Sequence, residues 1–120
     1  MSPRRTEPQP HYRLSWTEPA RADVVQLAAE QGADVAGAAL AAATDVEFGR
    51  RRGNALGDRK VTGDLGGLFR VKFDLPGHRP ERFRLVYRHV GAELVEILIV
   101  GKRDAHAVYR DALARLTGNG

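Results

Sequence analysis

The sequence contains no cysteine, so neither a disulfide bond nor a thiolate metal site can form within the chain. It also lacks an apolar run close to the ~20 residues that a membrane-spanning helix requires. The first 12 residues, MSPRRTEPQPHY, are polar and proline-rich, without the apolar core of a signal peptide. A length of 120 residues suits one domain with a modest core. We therefore expect a cytoplasmic protein that makes no contact with a membrane.

Positive charge is concentrated in the second half of the chain. Residues 1–58 hold seven Lys or Arg and eight Asp or Glu, a net charge of −1, whereas residues 59–120 hold twelve and seven, a net charge of +5. An excess of one sign favours a polyanionic or acidic partner. A solvated basic surface has the same composition, so net charge alone does not identify a partner.

The first half of the chain predicts a strand and two helices. Residues 1–10 carry no periodic apolar signal, so we expect a disordered tail before a single domain over residues 11–117. Apolar and polar residues alternate over residues 12–16 (YRLSW), which is typical of a half-buried strand.

A helix hairpin is expected after this strand. Thr17 can cap the first helix, with Pro19 in its first turn and Gly32 at its end. An alanine-rich second helix over residues 33–48 follows across a very short connection. Residues 49–67 open with the arginine run GRRRGN, and we interpret them as an irregular, solvated connection.

The second half predicts an antiparallel sheet of three strands and a closing helix. The strands are expected over residues 68–75, 83–88 and 92–100, with a hairpin turn at residues 76–80. Apolar residues at helical spacing over residues 105–116 can pack back on this sheet. The predicted fold class is therefore α+β.

Basic side chains share one face of the predicted hairpin. In FRVKF (residues 69–73) Arg70 and Lys72 point away from the apolar face, and in the returning strand Arg84 and Arg88 do the same. The pattern places no acid among Arg70, Lys72 and Arg84 on this face. Their mutual repulsion is therefore uncompensated, which favours binding of an anion. A plain solvated surface is the alternative interpretation.

A second basic group follows the last predicted strand. The stretch LVEILIVGKRDAHAVY (residues 94–109) begins as an apolar run typical of a strand buried on both faces. The run stops before Lys102 and Arg103, and His106 and Tyr109 follow at a spacing that lines one side of a helix. We interpret this group as half of a site for an RNA phosphate.

The motifs FRVKF, FRLVY and VGKR, with a tyrosine six residues after the last arginine, resemble the RelE toxins. These toxins belong to the RelE/ParE superfamily of bacterial toxin–antitoxin systems. The resemblance extends from Tyr12 in element order and is specific over residues 69–116. It implies a RelE-like fold, in which an N-terminal strand and helix hairpin precede an antiparallel three-strand meander and a C-terminal helix.

The resemblance also implies an activity, that of a ribosome-dependent endoribonuclease or mRNA interferase. In such an enzyme the ribose 2′-hydroxyl attacks the adjacent phosphate, which leaves a 2′,3′-cyclic phosphate and a 5′-hydroxyl. The reaction needs a proton acceptor, cations at the phosphate and a proton donor for the leaving oxygen. It needs no metal and no cofactor.

Four residues match the catalytic positions of the family. Lys72 matches the general base, and Arg84 the arginine that stabilises charge on the phosphate. Arg103 matches the general acid or transition-state clamp, and Tyr109 the tyrosine that stacks on the mRNA base. A lysine accepts a proton only where neighbouring cations favour its neutral form, and Arg70 and Arg84 are expected to lie beside it.

Further cations are expected to bind RNA phosphates. Arg70 replaces a second family lysine, and because a guanidinium is a poor proton acceptor the base role falls on Lys72. Lys60 is the basic residue closest to another position that is often basic in the family. Arg88, Lys102 and His106 complete the predicted RNA contacts, although a solvated helix histidine is the simpler interpretation of the last.

The resemblance implies partners as well. A cognate acidic, RelB-like antitoxin is expected to form a hetero-oligomer with the chain, and mRNA in the 70S ribosome is the expected substrate. Two alternatives remain open at this point. One is a ParE-like poison of DNA gyrase, and the other is a non-catalytic module that only binds an antitoxin.

Overall fold

The structure, a computed structural model, describes residues 9–59, 63–102 and 114–115. Its elements follow the chain in the order β1 (Arg13–Trp16), α1 (Glu18–Gln31), α2 (Ala33–Glu47), β2 (Asn54–Arg59), β3 (Gly63–Phe73), β4 (Phe83–Val90) and β5 (Leu94–Lys102). The strands form one sheet in the order β1-β5-β4-β3-β2. β1 runs parallel to β5, and the other neighbours are antiparallel. This mixed architecture agrees with the predicted α+β class.

The helix hairpin forms as predicted. The Thr17 side-chain oxygen accepts a 3.2 Å hydrogen bond from the Ala20 amide and donates to the Ile97 carbonyl at 3.1 Å. The cap of α1 therefore also fixes this helix to β5. Gly32, with a φ of +103°, is the whole connection between α1 and α2, and the left-handed region of φ favours glycine there.

The main core lies between the helices and one face of the sheet. Alanines of α2 let this helix approach the strands closely, and Phe83, Leu85 and Ile97 from the sheet are at most 1% exposed. Burial of each such side chain contributes about 1.5–3 kcal/mol. The helix layer thereby fixes one face of the sheet and leaves the other face for the basic residues.

The prediction of an irregular connection over residues 49–67 is wrong for most of its length. Asn54–Arg59 and Gly63–Phe73 pair as an antiparallel hairpin with a register shift between Ala55 and Gly57. β3 also starts five residues earlier than the predicted strand. The reason is that pairing by main-chain hydrogen bonds needs no apolar alternation, and this glycine-rich stretch offers none for a sequence pattern to detect.

The predicted meander is present as β3, β4 and β5. β4 is the middle strand of the sheet, and β5, with its buried run over residues 97–100, lies beside it. β4 and β5 each extend two residues beyond the predicted ends, to Val90 and Lys102.

Little of the predicted C-terminal helix is described, namely Ala114 and Arg115, which are helical. Arg115 donates to the Asp23 carboxylate at 2.9 Å and to the Leu98 carbonyl at 2.6 Å. This contact connects the end of the chain to α1 and β5. The rest of that helix and residues 1–8 of the predicted tail lie outside the described residues, so the domain boundaries stay predictions. Neither helix in the described part combines the length and apolarity required to cross a membrane.

Candidate functional site

The β3–β4 hairpin is closed by an ion pair that is built into its turn. The Asp74 carboxylate accepts hydrogen bonds from the Arg82 amide, Nε and guanidinium NH2 at 2.8–2.9 Å. These hydrogen bonds from Arg82 hold the pKa of Asp74 well below its usual range, against the opposing effect of burial. This Asp74–Arg82 clamp fixes the relative position of the end of β3 and the start of β4, where Lys72 and Arg84 lie.

Two of the predicted catalytic residues lie side by side on this hairpin. Lys72 of β3 is paired in register with Arg84 of β4, so their Cβ atoms are about 5 Å apart. Both side chains lie on the face opposite the helices, because the neighbouring pair Phe73 and Phe83 belongs to the core. Lys72 is exposed, and in the described part of the chain no carboxylate forms an ion pair with it.

Arg84 is buried, although the sequence predicts it on an outer face. Only 6% of the residue is exposed, and its NH1 donates to the carbonyl oxygens of Glu81 at 3.0 Å and Phe83 at 2.9 Å. The alternative interpretation, a plain solvated surface, is therefore wrong at this residue. Val86 and Ile99 are also buried on this face, which the charge pattern alone does not reveal. A buried cation is tolerated because main-chain acceptors replace water.

Arg70 and Arg88 occupy the same face with different surroundings. Arg70 lies opposite Val86 and is half-buried. Arg88 donates from Nε to the Glu96 carboxylate at 2.7 Å, with 42% and 23% of the two side chains exposed. Its charge is therefore balanced within the sheet, and its role as an RNA contact stays a prediction.

Lys102 lies on the other side of the sheet from Lys72. It pairs in register with Phe83, whereas Gly101 pairs with Arg84. Lys102 contributes to an open cleft of about 500 Å³ near the end of α1, together with Gln31, Pro80, Arg82 and Phe83. The structure thus separates Lys102 from the Lys72–Arg84 pair.

Four further predicted site residues, Lys60, Arg103, His106 and Tyr109, lie outside the described residues. The catalytic role of Arg103 and Tyr109 and the binding role of Lys60 and His106 stay predictions. Between the described residues, no three His, Asp or Glu side chains come together in a group that could hold a metal ion.

Arg51 is a contact of the site that the sequence interpretation missed. Its NH1 donates to the main-chain carbonyl of Lys72 at 2.7 Å, and its NH2 lies 3.8 Å from the Asp45 carboxylate. β2 begins at Asn54, opposite Arg70, so the β3 edge at Lys72 has no strand beside it. Arg51 supplies the donor that a paired strand would supply there, and it ties the backbone of Lys72 to α2. The arginine run was visible in the sequence, but its distance from β3 was not.

The arrangement can bind an anion and hold it in one orientation. A fixed guanidinium presents directed donors to a phosphate oxygen, and the adjacent lysine amine can bind a second oxygen or exchange a proton. Since Arg84 is shielded from water, its charge acts on a bound anion with less screening than that of an exposed arginine.

Comparison with solved structures is informative about the fold of this chain. No protein-family model matches the chain, and no curated protein matches its sequence. A solved structure does match, that of an Escherichia coli toxin RelE variant with two arginines replaced by alanine, in the free state. The two chains are 26% identical with a TM-score of 0.57, and the match covers 88% of this chain and 98% of the RelE chain. This chain has a RelE-like fold.

The RelE-like fold confirms the architecture that the motifs predicted. The match covers nearly the whole RelE chain, so the likeness concerns the domain and not a single motif. The helix hairpin was part of the predicted architecture, whereas the fifth strand of the sheet, β2, was not. The Lys72–Arg84 pair therefore lies on a domain with a RelE-like fold.

Proposed function

We propose that this chain is the toxin of a type II toxin–antitoxin system and that it cleaves mRNA on the ribosome. The observation that carries the proposal is the Lys72–Arg84 pair, an exposed amine directly opposite a buried, main-chain-anchored guanidinium. The likeness to the RelE toxin supports the same conclusion, because the pair lies on a domain with that fold.

The proposed reaction is an attack of the ribose 2′-hydroxyl on the adjacent phosphate. Lys72 accepts the hydroxyl proton as the new O2′–P bond forms and the P–O5′ bond breaks. The products are a 2′,3′-cyclic phosphate and a 5′-hydroxyl, and no metal takes part. Proton transfer of this kind contributes about 10²–10⁴-fold to a rate.

Arg84 stabilises the charge that develops on the phosphorane oxygens. A donor that is fixed before the reaction needs no reorganisation when the charge appears, which is the physical basis of electrostatic catalysis. The two carbonyl contacts of Arg84 provide this fixation. Arg103 protonates or clamps the leaving oxygen in the proposal, and Tyr109 stacks on the base beside the scissile bond.

The remaining cations extend the phosphate contacts along the RNA. Arg70 lies next to the Lys72–Arg84 pair on the same face, and Lys60, Arg88 and His106 are assigned to neighbouring phosphates. Lys102 lies on the other side of the sheet and is not assigned to these phosphates. Electrostatic contacts of this type set affinity and its dependence on salt.

An acidic antitoxin is the proposed partner in the resting cell. The net charge of +5 over residues 59–120 favours an acidic segment that covers the basic residues in a toxin–antitoxin hetero-oligomer. Expression of the chain alone is then expected to arrest growth, and a harmless free chain would count against the proposal.

Primer-extension mapping of cellular mRNA tests the proposed function. The wild-type chain, Lys72→Gln and the control Arg21→Gln would be induced separately; Lys72 and Arg21 are both exposed. We expect cuts inside translated codons for the wild type and the control, and none for Lys72→Gln. Growth arrest without cuts would contradict cleavage and favour a ParE-like action on gyrase, which gyrase-dependent DNA breaks would reveal.

A further inference from the structure

A pocket on the helix side of the sheet is separate from the Lys72–Arg84 pair. It has a volume of about 340 Å³ and lies where α2 ends and the GRRRG loop (residues 49–53) begins. Its walls combine aromatic rings with guanidinium groups, namely Tyr12, Phe69, Tyr87, His89, Arg51 and Arg52. The volume lies within the range of small-molecule sites, about 300–1,000 Å³.

The rings of the pocket are held in place by one another. Phe69 and Tyr87 are stacked with centroids 5.5 Å apart and an angle of 18° between their planes. Tyr12 and His89 meet edge to face at 5.0 Å, and Phe69 and His89 do so at 5.4 Å. Tyr87 is buried, Tyr12 and Phe69 are half-buried, and His89 is exposed. The result is a preformed aromatic wall that faces an open cavity.

Both ends of the GRRRG loop lie close to rings that line the pocket. The Gly53 amide donates to the Tyr87 hydroxyl at 3.0 Å, and a Cβ at Gly53 would lie 2.9 Å from the same oxygen. At Gly49, whose φ is +73°, a Cβ would overlap the ring of His11. Glycine is therefore favoured at both positions, and the two ends of the loop lie against rings of the pocket.

The three arginines of this loop have three different environments. Arg50 pairs with Asp45 at 3.2 Å and lies over the Phe48 ring. Arg51 bonds the Lys72 carbonyl and approaches the same Asp45. Arg52 is exposed at the pocket, and no acidic side chain within the described ranges forms an ion pair with it.

The charge of Arg52 also acts on a group that lines the pocket, the Tyr87 hydroxyl. Burial raises the pKa of the Tyr87 hydroxyl, and the positive charge of Arg52 acts in the opposite direction. Arg52 is therefore a cation beside an aromatic wall, with no carboxylate from the described residues to neutralise it.

We propose that this pocket binds a nucleotide, with the base against the aromatic wall and the phosphate at Arg52. Stacking on aromatic side chains is favourable for every base, at about 1–3 kcal/mol each, and a guanidinium is the preferred partner of a phosphate. The pocket and the Lys72–Arg84 pair lie on opposite faces of the sheet, so the proposal does not depend on RNA cleavage. A free mononucleotide and an unpaired nucleotide of an RNA share the recognised chemistry.

An NMR titration of the full-length chain with 5′-AMP tests the proposal. The ring protons of His11 and His89 report on the pocket, and His78 in the β3–β4 turn serves as an internal reference. We expect saturable shifts at the first two histidines with a Kd below ~1 mM, and none at His78. Absence of saturable shifts, or equal shifts at His78, would overturn the proposal.

Two substitutions in the same loop distinguish a specific binding site from nonspecific electrostatic attraction. Arg52→Gln is expected to raise the Kd at least ~10-fold, since a hydrogen bond to a charged group contributes about that factor. Arg50→Gln removes the same charge two residues away, from a side chain paired with Asp45, and is expected to leave the Kd within ~2-fold. Equal weakening by both substitutions would show attraction without a specific site and would overturn the proposal.

Two further probes examine the base and the source of the nucleotide. Inorganic phosphate is expected to bind at least ~10-fold more weakly than 5′-AMP because it lacks the stacking contact; equal binding would overturn the assignment of the aromatic wall. A short oligoadenylate that binds more tightly than 5′-AMP would identify RNA as the source, and equal affinity would identify a free nucleotide. Either of these last two results supports the pocket.

Discussion

Lys72 and Arg84 lie directly opposite each other on β3 and β4, on the face of the sheet away from the helices. Like charges in such a pair repel, at a cost of about 0.2–1 kcal/mol relative to neutral neighbours. Arg84 cannot move away because it is buried and bonded to two carbonyl oxygens. The hairpin therefore holds two cations together, and a bound phosphate would relieve the repulsion.

Removal of the Lys72 charge is expected to lower the rate of RNA cleavage without lowering the stability of the fold. Lys72→Gln ends the repulsion with Arg84 while it keeps a long exposed side chain. We predict that the free energy of unfolding stays unchanged or rises by up to ~1 kcal/mol, whereas cleavage falls at least ~100-fold. Urea denaturation and single-turnover cleavage check the two parts. A variant that loses stability and activity together would show that Lys72 is structural.

Arg51 is expected to support RNA cleavage indirectly, because it holds the backbone of Lys72 in position. Arg51→Gln removes the guanidinium donor to the Lys72 carbonyl, so we predict a loss of about 0.5–1.5 kcal/mol in stability. We also predict a lower kcat for RNA cleavage with an unchanged KM, since RNA binding does not use this contact. Arg50→Gln is the matched control, because its exposed ion pair with Asp45 contributes less than ~1 kcal/mol. Equal effects of the two substitutions would exclude a positioning role for Arg51.

The ion pair between Asp74 and Arg82 is expected to make the free energy of unfolding depend on pH. Asp74→Asn should lower the free energy of unfolding by ~2 kcal/mol near neutral pH. The folded-state pKa of Asp74 is depressed, so the stabilisation is full above the unfolded-state pKa of about 3.9 and is lost as the pH falls. The difference between wild type and variant should therefore narrow by about 1 kcal/mol from about pH 7 to about pH 3.

Urea denaturation at the two pH values measures this narrowing. Glu81→Gln is the control in the same turn, because its partner Arg79 has 71% of its side chain exposed, and such pairs contribute less than ~1 kcal/mol. A difference between wild type and Asp74→Asn that does not change with pH would contradict the depressed pKa.

Two glycines are expected to respond in opposite directions to alanine. Gly53→Ala places a Cβ 3.0 Å from the Arg70 carbonyl and 2.9 Å from the Tyr87 ring, so we predict a loss of about 1–3 kcal/mol in stability. Gly37→Ala places a Cβ in open space within α2, where alanine is favoured by about 1 kcal/mol. Thermal denaturation of the pair distinguishes a loop pressed on the rings from a solvated one, for which Gly53→Ala would be tolerated.

The elements with periodic apolar residues could be predicted from the sequence. The helix hairpin followed from Thr17, Pro19 and Gly32, and β4 and β5 followed from their apolar residues, because burial of those side chains determines the structure. β2 and the first part of β3 could not be predicted in this way, since main-chain pairing in a glycine-rich segment leaves no side-chain pattern.

The residue types of the candidate site and the face of the sheet on which they lie could be predicted from the sequence, whereas their contacts could not. The alternation in β3 placed Lys72 on the face away from the core, and that placement is confirmed. Arg84 packs beside β5, where it pairs with Gly101 from 17 residues further along the chain, and Arg51 donates to the Lys72 carbonyl 21 residues away on β3. Such contacts arise from the packing of the whole domain and have no local signal.

Product analysis with purified components tests the proposed mRNA cleavage directly. Translating ribosomes programmed with a defined mRNA would be incubated with the wild-type chain or Lys72→Gln, and the new RNA ends would be identified by mass spectrometry. We predict 2′,3′-cyclic phosphate and 5′-hydroxyl ends that form only on ribosome-bound mRNA, and we expect Lys72→Gln to slow their formation at least ~100-fold. Intact mRNA with the wild-type chain, or ends with a 5′-phosphate, would contradict this prediction.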